Sequence, residues 1–257
     1  MPKFAANISL LFTELPFLGR FKAAADAGFT AVECQFPYEA AAHDVADCLR
    51  HHEIELALFN MPPGNWAAGD RGLAALPERQ SEFKEGVAAA LSYARSCGCK
   101  RLHMMAGIAE PTDAAALGTY RANLAYAAER AARDDVTVLI EPINQRDMPG
   151  YFLSDYERAA ELISTIGSDS LRLQFDIYHR QMICGRVIDG LRELLPIIGH
   201  IQIAGIPGRH EPEGSELDFS VLFAEIDRLG YDGFIGCEYR PKTTTSAGLG
   251  WLSPHLI

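Results

Sequence analysis

The feature that most constrains this chain is a repeated unit. A short run of β-branched and aliphatic residues is closed by a polar or charged residue, and a stretch with apolar residues at helical spacing follows. The clearest copy is Val136-Thr-Val-Leu-Ile-Glu-Pro-Ile-Asn144. A nearly continuous apolar run is what a strand needs when helices cover both of its faces, as in a parallel sheet. Pro142 has no amide hydrogen to give to a ladder, so the strand stops there and Glu141 stands at its carboxyl end. One such Glu would be an ordinary solvated strand terminus. A series of them needs another explanation.

Strands of the same kind are expected at 3–9, 30–35, 56–60, 101–105, 136–141, 171–176, 200–204 and 233–238. Between them the spacing predicts helices. The first follows Thr13 as N-cap, carries Leu15, Leu18, Phe21 and Ala25, and stops at Gly28. Others are expected over 44–52, over 78–96 with Phe83, Val87 and Leu91 on one face, and over 114–133 with Tyr120, Leu124 and Ala128. Ser154 and Glu157 have the spacing of a capping box for a helix ending near Gly167. The last two are placed over 186–195 and from a cap at Asp218 to Leu229. The glycine- and proline-rich stretch 61–72, which carries Trp66 and Arg71, reads as a lid. Eight strand–helix units in 257 residues fit one α/β domain over residues 1–257, a closed (β/α)8 TIM barrel. An open doubly wound sheet would be marked by Gly-x-Gly-x-x-Gly after the first strand, and none is present.

Charge and cysteine content narrow the partners. A net charge of −11 and a pI of about 5.2 repel phosphate backbones and anionic lipids, so neither nucleic acid nor a membrane is expected as a partner. No apolar run is long enough to cross a bilayer and no signal-peptide pattern stands out, so the six cysteines read as reduced thiols of a cytoplasmic protein. Cys97 and Cys99 lack a second pair at metal-ligand spacing. A homo-oligomer is compatible with the sequence, which does not specify one.

In a barrel the strand ends converge on one mouth, where active sites are built. The residues closing the runs are Asn7, Glu33, Asn60, His103, Glu141, Asp176, Gln202 and Glu238. Three carboxylates and a carboxamide from the fifth to eighth strands would repel one another unless a proton or a cation intervened. Oxygen-rich ligation of this kind suits Mg2+ or Mn2+ better than Zn2+. Two carboxylates beside such an ion could move a proton between neighbouring carbons of a hydroxy-carbonyl compound, with the ion stabilising the enediolate. Arg71, Arg209 and Lys242 are candidate partners for a substrate carboxylate.

Glu141-Pro-Ile-Asn144, Phe175-Asp-Ile-Tyr-His179, Gly199-His-Ile-Gln-Ile203 and Gly236-Cys-Glu-Tyr-Arg-Pro241 with Thr243-Thr-Thr245 resemble the hydroxypyruvate isomerase family of the xylose-isomerase-like TIM barrels. So do Phe4-Ala-Ala-Asn-Ile-Ser9 and Asn60-Met-Pro-Pro-Gly-Asn-Trp66, and the resemblance covers nearly the whole chain. It implies a metal held by Glu141, Asp176, Gln202 and Glu238, proton transfer by Glu141 and Glu238, and substrate contacts from His179 and Arg209. Asn7, Asn60 and Trp66 are expected to join those contacts. The similar ketose epimerases have His where this chain has Gln202, which moves the expectation toward small hydroxy-oxo acids. Interconversion of hydroxypyruvate and 2-hydroxy-3-oxopropanoate is the activity implied. A four-carbon 2-oxo-tetronate is the alternative substrate, and a metal-dependent phosphodiesterase cutting abasic DNA is a remote one. The last would call for a histidine-rich zinc cluster and a basic face.

Overall fold

Parallel strands pair in chain order until the eighth meets the first, closing a barrel. The computed structural model describes residues 2–255. Its strands are β1 (Lys3–Asn7), β2 (Ala31–Cys34), β3 (Glu55–Asn60), β4 (Arg101–His103), β5 (Thr137–Ile140), β6 (Leu171–Asp176), β7 (Ile198–Ile203) and β8 (Phe234–Cys237). The helices are α1 (Gly19–Asp26), α2 (Ala42–His51), α3 (Gln80–Cys97), α4 (Ala114–Ala132), α5 (Tyr156–Ile166), α6 (Ile177–Ile183), α7 (Val187–Leu194) and α8 (Phe219–Arg228). Outward strand residues such as Val138, Ile140, Leu173 and Ile201 are wholly buried beneath the helices, which is why the strands read as apolar runs. Each such side chain contributes about 1.5–3 kcal/mol on leaving water. Among the described residues no helix is long and apolar enough to cross a membrane.

Local chemistry sets most element ends. Asp113 caps α4 by accepting from the amides of Ala115 and Ala116, and Asp218 caps α8 from Ser220 and Val221. Gly98 and Gly167, both with positive φ, stop α3 and α5. Such a left-handed C-terminal residue costs glycine nothing.

Three expectations differ from the structure. The first helix begins at Gly19 and not after Thr13. Leu15 precedes Pro16, whose ring disfavours helical backbone at the residue before it, and Leu15 is exposed. The cap of α5 is Asp155, which accepts from the Arg158 amide at 2.6 Å, so the Ser154 capping box does not form. The connection from β6 to β7 holds two helices, because the Asp176 carboxylate, accepting from the Tyr178 amide, starts α6 directly at the strand end.

Two register shifts bear on the site. β2 and β3 slip by one residue between Val32 and Glu33, and β6 and β7 between Leu173 and Gln174. Irregularities of this kind re-aim the side chains next to them.

Candidate active site

The carboxyl ends of the strands surround a cavity of about 720 Å3. Its wall includes Asn60, Glu141 and Glu238 from strand ends, His179 and Tyr178 from α6, and Arg209 from the loop after β7. Trp66 and Arg71 come from the 61–72 loop, with Arg146, Asp147 and Met148 from the loop after β5. Trp66 is 39% exposed and packs against Phe36, and the Arg71 guanidinium lies 4.0 Å from the centre of its ring. The loop is held by Asp70, which is bound to Arg79 at 2.7 Å, and by the close approach of Gly72 to the backbone of Met105.

Glu141, Asp176 and His179 offer ligand atoms that all lie within 4.8 Å of one another. Glu141 is 4% exposed and Asp176 is fully buried. Oε1 of Glu141 and Oδ2 of Asp176 accept no hydrogen bond, although each is out of contact with water. Two orphaned buried carboxylate oxygens facing one point are what a hard divalent cation satisfies, and the arrangement fits such an ion. Burial is the first cause that raises the Glu141 carboxyl well above the ordinary range, with Asp176 and Glu238 adding to it. Burial likewise pushes Asp176 up to about 7, while Arg209 pulls it down. Glu238 is raised by burial and partly restrained by Arg209.

The other oxygens of these carboxylates are held. Oε2 of Glu141 accepts from Gln174 Nε2 at 3.0 Å. Glu238 accepts from Arg209 Nη2 at 2.6 Å, Gln35 Nε2 at 3.2 Å and Asn7 Nδ2 at 3.3 Å. Arg209 also stands 3.6 Å from Asp176 Oδ2 and lies over the Tyr178 ring. One guanidinium thus faces two of the three buried acids.

His179 can be assigned a tautomer from its neighbours. Asn144 Oδ1 accepts from the Asp147 amide at 2.9 Å, which turns Asn144 Nδ2 toward His179 Nδ1 at 2.7 Å. Nδ1 is then the acceptor and Nε2 carries the proton. Burial holds the ring well below its ordinary pKa, so it is neutral. In this state Nε2–H lies 3.6 Å from Asp176 Oδ2 without a hydrogen bond to it, and is free to donate to a substrate oxygen. His103 is also held neutral, at about 3, by burial and by His200.

The expected residues divide as follows. The structure brings Asn60, Trp66, Arg71, Glu141, His179, Arg209 and Glu238 to the cavity wall. Asp176, Gln202 and Asn7 lie just beneath it, buried. Gln202 Oε1 accepts from Gln174 Nε2 at 2.7 Å, leaving one lone pair of that oxygen free. Lys242 is not brought to the cavity wall: it is exposed and engaged through its backbone amide with Glu211. Sequence reasoning missed Gln174, Gln35, Asn144, Arg146 and Arg240. Gln174 was accessible in principle, because it lies two positions before Asp176 on the same strand face.

A family model described as the xylose isomerase-like TIM barrel matches residues 21–255. A 2-oxo-tetronate isomerase of Cupriavidus necator is 52% identical over 100% of the chain and 99% of that protein. A hydroxypyruvate isomerase of Escherichia coli is 42% identical over 99% of the chain and 100% of that protein. A crystal structure from Brucella melitensis, described as an AP endonuclease of family 2, superposes with a TM-score of 0.98 at 43% identity, with both chains covered in full.

Proposed function

Because the chain belongs to the xylose isomerase-like TIM barrel family, we propose that it is a metal-dependent isomerase of a small 2-oxo-3-hydroxy acid. The observation that carries this reading is the meeting of three carboxylates at one cavity, each raised chiefly by burial and two of them with an unpartnered oxygen. The reaction moves a carbonyl from C2 to C3 of the acid. A proton leaves C3, an enediolate forms, and a proton returns to C2.

Glu141 and Glu238 are the proton carriers, exchanging roles with direction. Burial supports this by holding both above the ordinary carboxylate range, nearer to the working pH. Glu141 and Asp176, with the Gln202 carbonyl and Glu238 beside them, would hold a Mg2+ or Mn2+ ion, which would supply Lewis-acid stabilisation of the developing oxyanion. His179 Nε2–H orients a substrate oxygen. Arg209 keeps Glu238 available as a base by its charge. Arg71, with Arg146 and Arg240 on the same wall, gives a local cationic rim to a chain of net charge −11, suited to steering a small carboxylate inward.

Hydroxypyruvate and 2-oxo-tetronate share the reacting C1–C3 head and differ by a hydroxymethyl group on C3. The 52% identity to a 2-oxo-tetronate isomerase favours the four-carbon acid. The nuclease reading has the description of the Brucella structure behind it, but it calls for several histidine ligands. Among the described residues the one cluster found has a single His. The test is turnover of both acids, with abasic-site DNA as a third arm, with and without chelator, for the intact protein beside Glu141→Gln and Glu238→Gln. We expect metal-dependent isomerisation that falls by about 10²–10⁴-fold in each variant. Turnover that survives both substitutions overturns the assignment, and cleavage of the DNA overturns the reaction class.

A further inference from the structure

Beneath the carboxylates lies a buried acid that the proposed chemistry does not use. Glu33, on β2, is fully buried, and each hydrogen-bond partner of its carboxylate offers an N–H. Oε1 accepts from Asn7 Nδ2 at 2.9 Å and from Gln202 Nε2 at 2.7 Å. Oε2 lies 2.6 Å from His200 Nε2, which donates in the tautomer protonated there. A carboxylate, which only accepts, matches all three.

These contacts continue upward along two branches. With Gln202 Nε2 tied to Glu33, the Gln202 carbonyl must face the other way, where it receives Gln174 Nε2 at 2.7 Å. That same Gln174 amide donates to Glu141 Oε2 at 3.0 Å. On the other branch Asn7 Nδ2 reaches both Glu33 Oε1 and, at 3.3 Å, Glu238 Oε1. A single buried carboxylate thus stands at the root of hydrogen-bond chains to both proton carriers.

The fold makes room for it at some cost. A Cβ added at Gly236 on β8 would fall 2.1 Å from Glu33 Oε2, so any larger residue there would displace the Glu33 carboxylate. Glu33, at the root, and Gln174, on the branch to Glu141, each stand next to one of the two register shifts of the barrel.

We propose that Glu33 is the positioning residue of this site: from the barrel floor it orients the amides of Gln202 and Asn7, and through them sets Glu141 and Glu238. The inference rests on the isomerase reading of the same site, and it deepens it. Positioning of this kind acts on the transition state more than on substrate capture, because groups that support metal ligands typically carry 10–100-fold in activity or metal affinity.

The experiment measures kcat, KM and Mn2+ affinity, the last by titration of the metal-free protein, together with the melting temperature. Glu33→Gln keeps the shape but presents an NH2 where an acceptor is needed. Gly236→Ala leaves the Glu33 residue unchanged and crowds its carboxylate, whose atoms are the nearest to the added Cβ. We expect each to lower kcat about 10–100-fold with KM changed less than about threefold. Mn2+ affinity should fall in both, and the double variant should be no worse than the poorer single one, since both act through one carboxylate. Unchanged kcat and Mn2+ affinity in folded variants overturns the proposal. Full additivity, or failure of both variants to fold, overturns it as well, the latter by making Glu33 a residue of the fold alone. An intact protein that turns over neither acid refutes the isomerase reading, and the Mn2+ titration still decides the role of Glu33. An intact protein that also fails to bind Mn2+ overturns both.

Discussion

Replacing Asp176 by Asn in the metal-free protein should stabilise it at alkaline pH and not at acid pH. Asp176 titrates at about 7 in the folded chain, against 3.8 ordinarily, with burial as the largest cause. Between those values the folded state holds a proton that the unfolded state has released. The contribution of this carboxyl to stability is therefore fully present below about pH 3.8 and is lost as the pH rises through 7. Roughly three pH units at about 1.36 kcal/mol each give on the order of 4 kcal/mol. Asn cannot titrate, so it does not suffer the loss. It keeps the oxygen that accepts from the Tyr178 amide, and the penalty of turning an amide toward Arg209, 3.6 Å away, does not vary with pH over this range. His103 and His179, whose lowered values oppose the carboxylates in the same window, are common to both proteins and largely cancel in the difference. At about 2–4 °C per kcal/mol for a chain of this size, the melting temperature of Asp176→Asn minus that of the intact protein should climb by on the order of 10 °C from pH 4 to pH 8. Calorimetry in the presence of chelator, at intervals of one pH unit, reads it directly. A difference that is flat, or that falls with pH, refutes the argument that burial governs this acid.

Adding Mg2+ or Mn2+ at about 100 times its dissociation constant should raise the stability of the intact protein by about 2.7 kcal/mol, and Asp176→Asn should lose most of that gain in a thermal melt. Arg209→Met removes the charge that holds down both Glu238 and Asp176. The acid limb of the kcat/KM profile should move toward alkaline pH as the base becomes harder to ionise, and a limb that stays or moves to lower pH contradicts the role given to Arg209. Trp66→Ala, at a partly exposed loop position stacked on Arg71 and packed on Phe36, should raise KM several-fold and lower the melting temperature by a few degrees, and an unchanged KM contradicts its place at the mouth.

What could be read from the sequence, and what could not, follows from the range over which each signal acts. The barrel was legible because each of the eight strands is buried on both faces, so the apolar run and its polar end are local to a few residues. Val136 to Glu141 carries that signal without help from the rest of the chain. The mouth residues were legible for the same reason, since the end of a strand fixes which side chain stands there. Lys242, outside the cavity wall, lies beyond a strand end, where no periodicity constrains the direction of a side chain. Asp155 displaced Ser154 as a cap by a choice between adjacent side chains that spacing alone cannot make. The network under the site is the deepest case. Glu33 looks like any other strand-end acid until Gly236, 203 residues later, is seen to leave a gap for it across the barrel. Such pairings exist only once the barrel has closed, so the supporting layer of the site is set by contacts between distant strands, and its visible trace in the sequence is a glycine that no turn requires.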